Sequence, residues 1–315
     1  MEQDATEKLA LIDVGSNTIR TVVYGRRGNR ARKLYSERDY TGLIAYVSNG
    51  RLTEEGVAKL CATMAHMKRF CALCRCESVT AFSTASLRGV TNRAETVEAV
   101  RKLTGIDIVP LSAEEEMACD CAALKRTGLK EGFAFDLGGG SCQVFRFGEE
   151  GLGEGASLPF GCLTLGEHFV RRGLFPDREE ARAMRRYVRG TLDEYLPGFV
   201  GVKPPVIHAM GGTARAVAKI LRATGQAEQD GECLCVPREA LRDLLRDARK
   251  NEGKMVALLR RVIPGRMSTL LPGILAMETI ARHLECETIE VTPTGVREGF
   301  LWTKLLPTAA PSTAN

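Results

Sequence analysis

The chain lacks the features that would assign it to a membrane, a secretory route or a nucleic acid. No run of about 18 apolar residues occurs, so no segment could cross a bilayer as a helix. The N-terminus carries the acids Glu2 and Asp4 and has no basic segment before an apolar core, which argues against a signal peptide. The net charge of +5 is too small and too dispersed for a nucleic-acid-binding protein. These absences predict a cytoplasmic protein without membrane or nucleic-acid partners.

Cysteine, by contrast, is abundant. Eleven cysteines in a chain without a secretion signal are expected to be reduced thiols rather than a disulfide framework. Cys71, Cys74 and Cys76 have the spacing of metal ligands, and His66 lies close to them in the sequence, so zinc is one alternative. Buried structural thiols are the commoner outcome of such spacing, and we favour that interpretation.

A strand–turn–strand pattern appears near the N-terminus. The apolar run 9–14 includes Asp13 and leads into a turn that contains Gly15, Ser16 and Asn17, after which a second β-branched run begins. A glycine followed by small hydroxyl and amide side chains allows backbone N–H groups to approach an anion. The segment therefore has the composition of a phosphate-binding turn.

The same pattern recurs in the middle of the chain. The run 132–137 delivers Asp136 to three glycines and a serine, and a second strand-like run follows from Cys142. The glycines allow the close approach of an anion, and an aspartate at the mouth of the turn can hold a hard divalent cation against phosphate oxygens. The turn residues are Gly138, Gly139, Gly140 and Ser141. One such turn could be a plain tight hairpin, but two copies favour two similar domains that bind phosphate.

These two segments resemble the phosphate motifs of the exopolyphosphatase/guanosine pentaphosphate phosphohydrolase (Ppx/GppA) family, within the actin-like ATPase superfamily. The resemblance covers about residues 8–305. It implies an α/β fold of two actin-like (ribonuclease H-like) domains with a phosphate-binding cleft between them. We predict an N-terminal domain at 1–125, a C-terminal domain at 126–305 and a disordered tail at 306–315, because the stretch 125–132 is polar and punctuated by glycine.

Two further segments of the first half continue the resemblance. Arg88 follows a predicted strand and could pair bidentately with a phosphate, although a surface ion pair is the alternative without the resemblance. Ser112 and Glu115 have the spacing of a capping box, so Glu115 is expected to be structural. The resemblance implies that the next residue, Glu116, is the base that activates water. Asn92 continues the resemblance after Arg88, but Asn92 and Glu95 also have the spacing of a capping box, which predicts that Asn92 caps a helix.

In the second half, a strand leads into Gly211, Gly212 and Thr213. Paired glycines at the start of a helix form an anion-binding site, and the resemblance places this turn at the phosphates. A plain strand-to-helix turn is the alternative. His208 is expected to be a buried strand residue. The pair Arg297–Glu298 belongs to a closing motif and is interpreted as structural.

One position departs from the family pattern. The second phosphate motif normally ends with a glutamate that helps to hold Mg²⁺, and this chain has Gln143 there. An amide oxygen is a poorer ligand for a hard dication than a carboxylate. The resemblance implies a Mg²⁺ (or Mn²⁺) site on Asp136 with Asp13 and Gln143, and the substitution predicts weaker metal binding, slower turnover, or both.

The sequence thus predicts a metal-dependent hydrolase that releases terminal phosphate from inorganic polyphosphate, from pppGpp, or from both. Two alternatives stay open: a catalytically weak regulator that binds polyphosphate or guanosine penta- or tetraphosphate, and an ATPase or kinase of the actin-like fold. Substrate preference and the formation of a homodimer are left open at this stage.

Overall fold

The computed structural model describes residues 6–230 and 233–306. Contacts divide the chain into two compact units, one of residues up to 119 together with those from 297 onward, and one of residues 120–296. The boundary predicted between 125 and 126 lies inside a helix that begins in unit 1, and the segment after 296 groups with unit 1. The predicted tail at 306–315 lies, from residue 307, outside the described residues.

Unit 1 is built on a five-stranded mixed sheet. Its elements are β1 (Glu7–Val14), β2 (Ile19–Arg27), β3 (Arg30–Asp39), a 3₁₀ helix (Leu43–Tyr46), β4 (Val47–Ser48), β5 (Arg51–Leu52), α1 (Glu54–Leu73), β6 (Ser78–Ser83), α2 (Ala85–Arg88), α3 (Arg93–Thr104), β7 (Ile108–Pro110) and α4 (Ala113–Arg126). The sheet order is β3-β2-β1-β6-β7, with β4 and β5 forming a separate pair. Strands β1 to β3 are antiparallel, whereas β6 and β7 run parallel to β1.

The long helix α1 covers one face of this sheet. It begins after Thr53, whose hydroxyl accepts a hydrogen bond from the Gly56 N–H at 3.1 Å. Leu60, Met64 and Met67 lie on one side of the helix and are fully buried, as the helical period of the sequence predicts. The cap and the apolar spacing together explain why the helix forms and which face it buries.

Unit 2 contains a seven-stranded sheet in the order β10-β9-β8-β11-β14-β13-β12. Its elements are β8 (Gly132–Leu137), β9 (Cys142–Gly148), β10 (Gly151–Leu158), α5 (Cys162–Phe169), α6 (Arg178–Tyr195), a 3₁₀ helix (Pro197–Phe199), β11 (Ile207–Met210), α7 (Gly211–Ala223), β12 (Glu228–Asp230), β13 (Cys233–Pro237), α8 (Arg238–Lys250), α9 (Glu252–Val262), a 3₁₀ helix (Pro264–Arg266), α10 (Leu270–His283) and β14 (Thr288–Val291). Helix α11 (Val296–Phe300) begins at the last residue of unit 2, and its remaining residues and the π-helical turn at Leu301–Leu305 belong to unit 1.

The first five strands of the unit 2 sheet repeat the arrangement of unit 1. Strands β8, β9 and β10 are antiparallel neighbours, and β11 and β14 follow β8 in parallel. Helix α10 lies in the core of this unit, where 13 of its residues are buried around the whole circumference. A helix that is apolar on all sides is stable only inside a protein. The predicted α/β architecture with two similar sheets is therefore present.

One local expectation was wrong. The Asn92 side chain does not cap helix α3; it accepts a hydrogen bond from the Leu52 N–H and donates one to the Leu52 carbonyl, both at 2.9 Å. These two hydrogen bonds hold the short strand β5 in place.

All eleven cysteines are free thiols. Within residues 6–230 and 233–306, no three His, Cys, Asp or Glu side chains are grouped as metal ligands. Burial raises the pKa of the Cys71 thiol to about 12, with Cys76 and Cys74 close by. The burial of Cys71 agrees with a structural role for this thiol. No helix in the described ranges has the length and apolarity to span a bilayer.

Candidate phosphate-binding site

The two predicted glycine turns have the same backbone geometry. In unit 1 the Gly15 N–H donates to the Thr18 carbonyl at 3.1 Å, and in unit 2 the Gly138 N–H donates to the Ser141 carbonyl at 3.0 Å. A Cβ atom added at either glycine would lie 3.0 Å or 3.2 Å from that same carbonyl. A side chain at either position would crowd that carbonyl, so glycine is favoured where each turn brings its first N–H and its last carbonyl together.

In both turns, a backbone N–H from a following segment donates a hydrogen bond to a carbonyl of the turn. The Ile44 N–H binds the Ser16 carbonyl at 3.2 Å, and the Leu163 N–H binds the Gly139 carbonyl at 2.9 Å. In a trans peptide the N–H of the next residue points away from that carbonyl. The N–H groups of Asn17 and Gly140 are thus turned to the other side, where they have no acceptor among the described residues. Such N–H groups suit an anion.

The turn of unit 2 is pressed against the start of helix α5. A Cβ atom at Gly161 would lie 2.3 Å from the Gly139 carbonyl and 2.6 Å from the Gly140 nitrogen. Two N–H groups at the helix start, those of Cys162 and Leu163, bind the Gly138 and Gly139 carbonyls. The loop conformation is therefore held by a helix terminus.

The third predicted segment lies beside Asp136, which is buried. Gly211 has φ +87°, and a Cβ atom there would lie 2.1 Å from Asp136 Oδ1. The guanidinium of Arg266 covers Gly212 and donates from Nη1 to Thr213 Oγ1 at 3.3 Å. The structure thus brings Gly211 next to the acidic residue of the glycine turn. Sequence reasoning missed Arg266, because it follows a Pro-Gly pair and carries no motif of its own.

Gln143 lies directly opposite Asp136 in the β8–β9 ladder and is 1% exposed. Its amide nitrogen donates to Ser141 Oγ at 2.9 Å and to Ser157 Oγ at 3.1 Å. Both amide hydrogens are used by hydroxyls, so Oε1 is the atom that could contact a cation. Ser157 was not predicted, since its role depends on how β10 pairs with β9.

The oxygen atoms around Asp136 fit Mg²⁺ in kind. The oxygen-bearing groups are a carboxylate, an amide and a serine hydroxyl, which are hard oxygen ligands. Mg²⁺ commonly keeps several waters and binds through one or two carboxylates and substrate phosphates. One aspartate with an amide is a weak version of such a site.

In unit 1 the predicted base and the predicted phosphate ligand contact each other. Arg88 Nη1 lies 2.7 Å from Glu116 Oε2, and Glu116 is buried. A guanidinium partner is compatible with an ionised carboxylate, the state in which a general base begins. Glu115 forms the capping box as predicted: its carboxylate accepts from the Ser112 N–H at 2.9 Å, and its own N–H binds Ser112 Oγ at 3.0 Å.

Asp13 has a cationic partner that the sequence did not reveal. Arg297 Nη2 lies 3.1 Å from Asp13 Oδ2, and Arg297 Nη1 lies 3.4 Å from Glu298 Oε1. Burial opposes the charge on Arg297, but Asp13 and Glu298 outweigh it and raise the pKa of the guanidinium. Burial and the nearby Glu298 also raise the pKa of Tyr24. The pairing of Arg297 with Glu298 agrees with the structural role expected for both. The metal role of Asp13 stays a prediction.

Repeated α/β units with anchored glycine turns are typical of the actin-like fold class. Residues 28–308 match the Ppx/GppA phosphatase family, and the chain belongs to that family. The first glycine turn precedes the matched range. Family membership supports a phosphoanhydride hydrolase.

Curated relatives span most of the chain. Exopolyphosphatase 1 of Mycobacterium tuberculosis is 28% identical over 308 residues, which is 95% of this chain and 88% of that protein. The guanosine-5'-triphosphate,3'-diphosphate pyrophosphatase of Vibrio cholerae is 29% identical over 161 residues, covering 48% of this chain and 31% of that protein.

Solved structures confirm the fold class. An exopolyphosphatase from Cytophaga hutchinsonii superposes with a TM-score of 0.83 at 18% identity, covering 95% of this chain and 98% of that one. The Aquifex aeolicus Ppx/GppA family member has a TM-score of 0.75 at 21% identity, with the same coverage. At these identities the likeness establishes the fold, which is of the actin-like ATPase type as predicted.

Proposed function

We propose that this protein hydrolyses the terminal phosphoanhydride bond of inorganic polyphosphate, of pppGpp, or of both, with a divalent metal. The observation that carries the proposal is the pair of glycine turns whose Asn17 and Gly140 N–H groups have no acceptor in the described chain. Terminal phosphates would supply the acceptors. A neutral ligand would leave these donors unused, and a phosphate satisfies them with charge-assisted hydrogen bonds.

The residues have separate roles in this proposal. The turns Gly15–Asn17 and Gly138–Ser141 bind phosphate oxygens, and Gly211, Gly212 and Thr213 line the site beside Asp136. Asp136 and Gln143 would hold Mg²⁺ or Mn²⁺, which supplies neutralisation of the charge that develops on the phosphoryl group. Glu116 accepts the proton of the attacking water, and Arg88 orients that carboxylate or a phosphate.

The test is phosphate release from long-chain polyphosphate and from pppGpp, with Mg²⁺ and Mn²⁺ titrated. Glu116→Gln should lower kcat by about 10²–10⁴-fold, the usual contribution of a general base. Glu115→Gln is a matched control in the same helical turn, because glutamine still serves in a capping box. Equal loss in both variants, or no loss in Glu116→Gln, would show that Glu116 is not the base.

Gln143 supports one alternative, a regulator that binds these ligands and cleaves them poorly. The amide removes a negative charge beside Asp136, and its nitrogen is committed to two serine hydroxyls. Binding of polyphosphate or guanosine tetra- or pentaphosphate without phosphate release, at any metal concentration, would favour this function.

A further inference from the structure

Helix α6 carries a row of arginines along one side. Arg178, Arg182, Arg185 and Arg189 follow each other at spacings of four, three and four residues, which places them on one face of the helix. Three of them are exposed, and Arg185 is partly buried. Ordinary amphipathic helices mix both signs of charge on the solvent side. A row of one sign is unusual and suggests an anionic partner.

Helix α8 adds a fifth guanidinium to this row. Burial lowers the pKa of Arg249, and the nearby Arg185, Arg178 and Arg182 lower it further because like charges disfavour each other, while Asp177 opposes the shift. Arg185 contacts the buried Glu278 of α10 at 3.3 Å. The remaining residues, Arg178, Arg182, Arg189 and Arg249, are here called the arginine face. In the described chain no carboxylate lies within 4 Å of these four guanidinium groups.

The acids closest in sequence are committed elsewhere. Asp177 Oδ1 accepts hydrogen bonds from the Glu179 and Glu180 N–H groups at 2.8 and 2.9 Å. The Glu180 carboxylate accepts from the Arg171 and Asp177 N–H groups, both at 2.9 Å. These carboxylates cap and anchor the start of α6 and are not ion-paired with the arginine face. Asp193, four residues after Arg189, lies 3.7 Å from His283 Nδ1, and Asp177 opposes the shift of Arg249. The face therefore keeps an excess of positive charge, with four arginines that have no carboxylate of the described residues within 4 Å.

We propose that the arginine face binds the part of an inorganic polyphosphate chain that lies away from its hydrolysed end. From Arg178 to Arg189 the helix rises about 16 Å, long enough to follow several linked phosphates but too long for one short nucleotide tail. Arginine binds phosphate oxygens through a planar set of donors. The inference rests on the proposed function and names polyphosphate as the substrate.

The composition of the face favours polyphosphate over single-stranded nucleic acid. Proteins that bind single strands stack bases on exposed aromatic rings between their cations. Helix α6 carries two exposed aromatic residues, Tyr187 and Tyr195, and neither belongs to the row of arginines. Tyr187 lies nine residues after Arg178, on the opposite side of the helix, where its ring packs against His168 and Phe169 with centroids 6.3 and 5.5 Å apart. The arginine face therefore offers charge without a stacking surface.

The experiment compares two variants that lose the same charge. One replaces the arginine face with glutamine (Arg178→Gln, Arg182→Gln, Arg189→Gln, Arg249→Gln), and the control removes four scattered exposed arginines (Arg30→Gln, Arg93→Gln, Arg222→Gln, Arg261→Gln). Binding of fluorescent long-chain polyphosphate is measured against salt concentration, with thermal melting to verify folding. The face variant should bind long-chain polyphosphate at least about 10-fold more weakly than the control. The slope of its log binding constant against log salt concentration should be smaller by about three, one for each counterion no longer released.

Tripolyphosphate separates this effect from catalysis. It has only three phosphates and cannot extend along the roughly 16 Å row of arginines, so its binding should differ less than 2-fold, or about 0.4 kcal/mol, between the variants. Equal binding of long chains by the two variants would overturn the inference. So would tighter binding of a single-stranded RNA of matched charge that displaces polyphosphate from the face. Because binding is measured without hydrolysis, loss of the proposed activity would not alter either outcome.

Discussion

Gln143→Glu tests the site at its most unusual position. The side chain is 1% exposed and directly opposite Asp136, and it contacts two serine hydroxyls. The hydroxyls can rotate to donate to a carboxylate, so the number of hydrogen bonds is preserved. The change therefore adds mainly a negative charge. Repulsion between this charge and Asp136 should lower the free energy of unfolding.

The magnitude follows from the separation of the two strands. Cross-strand side chains lie about 5 Å apart, and two like charges at that distance and an effective dielectric constant of about 20 repel by about 3 kcal/mol. Without metal at neutral pH, we expect the variant to melt roughly 5–10 °C below wild type. Protonation removes the charge, so the difference should shrink as the pH falls towards 4. Mg²⁺ at 100 times its Kd should restore about 2.7 kcal/mol.

The assay is thermal melting in EDTA and in Mg²⁺, at neutral and acidic pH, beside Gln143→Met. Methionine has a similar length and no charge. The melting temperature of this control should therefore depend on pH and on metal no more strongly than that of the wild type. If the glutamate variant melts like wild type in EDTA at neutral pH, Gln143 is not buried opposite Asp136. If Mg²⁺ stabilises it no more than the methionine control, the metal is held elsewhere.

Three further predictions concern stability. Gly211→Ala should lower the free energy of unfolding, measured in urea, by about 3 kcal/mol or more, because the added methyl group would clash with Asp136 at a residue that already has a positive φ. The control Gly225→Ala, with φ +72° and open space around it, should lower it by only about 1 kcal/mol. Burial lowers the pKa of His208, although Glu290 opposes the shift. As the pH falls, His208 is therefore protonated in the unfolded chain before it is protonated in the folded chain, so its contribution to the free energy of unfolding should be complete above about pH 6.5 and decrease below it. In urea titrations, His208→Gln should weaken this dependence of stability on pH. Arg297→Met should lower the free energy of unfolding by about 3–5 kcal/mol, because it leaves Asp13 without its partner. Adding Asp13→Asn should recover part of that loss, and strictly additive losses would show that the two side chains do not interact.

Local patterns were enough to predict the elements that carry the site. The turns at Gly15 and Gly138, the capped start of α1 at Thr53 and the capping box of Ser112 and Glu115 all involve residues within a few positions of each other. Such features depend on backbone conformation and short-range hydrogen bonds, which the sequence encodes directly. The α/β class and the two actin-like units were implied by the family resemblance that these segments carry.

The partners of the site residues were decided by tertiary structure. Arg297 and Asp13 are 284 positions apart, Arg88 meets Glu116 from another helix, and Gln143 reaches Ser157 only because β10 pairs with β9 in one register. Asn92, which a local rule assigned to a cap, holds β5 instead. The sequence alone determined where the chain turns and which faces are apolar. Which charges are neutralised depends on how strands and helices pack, because a buried polar group binds whichever partner the fold brings within reach.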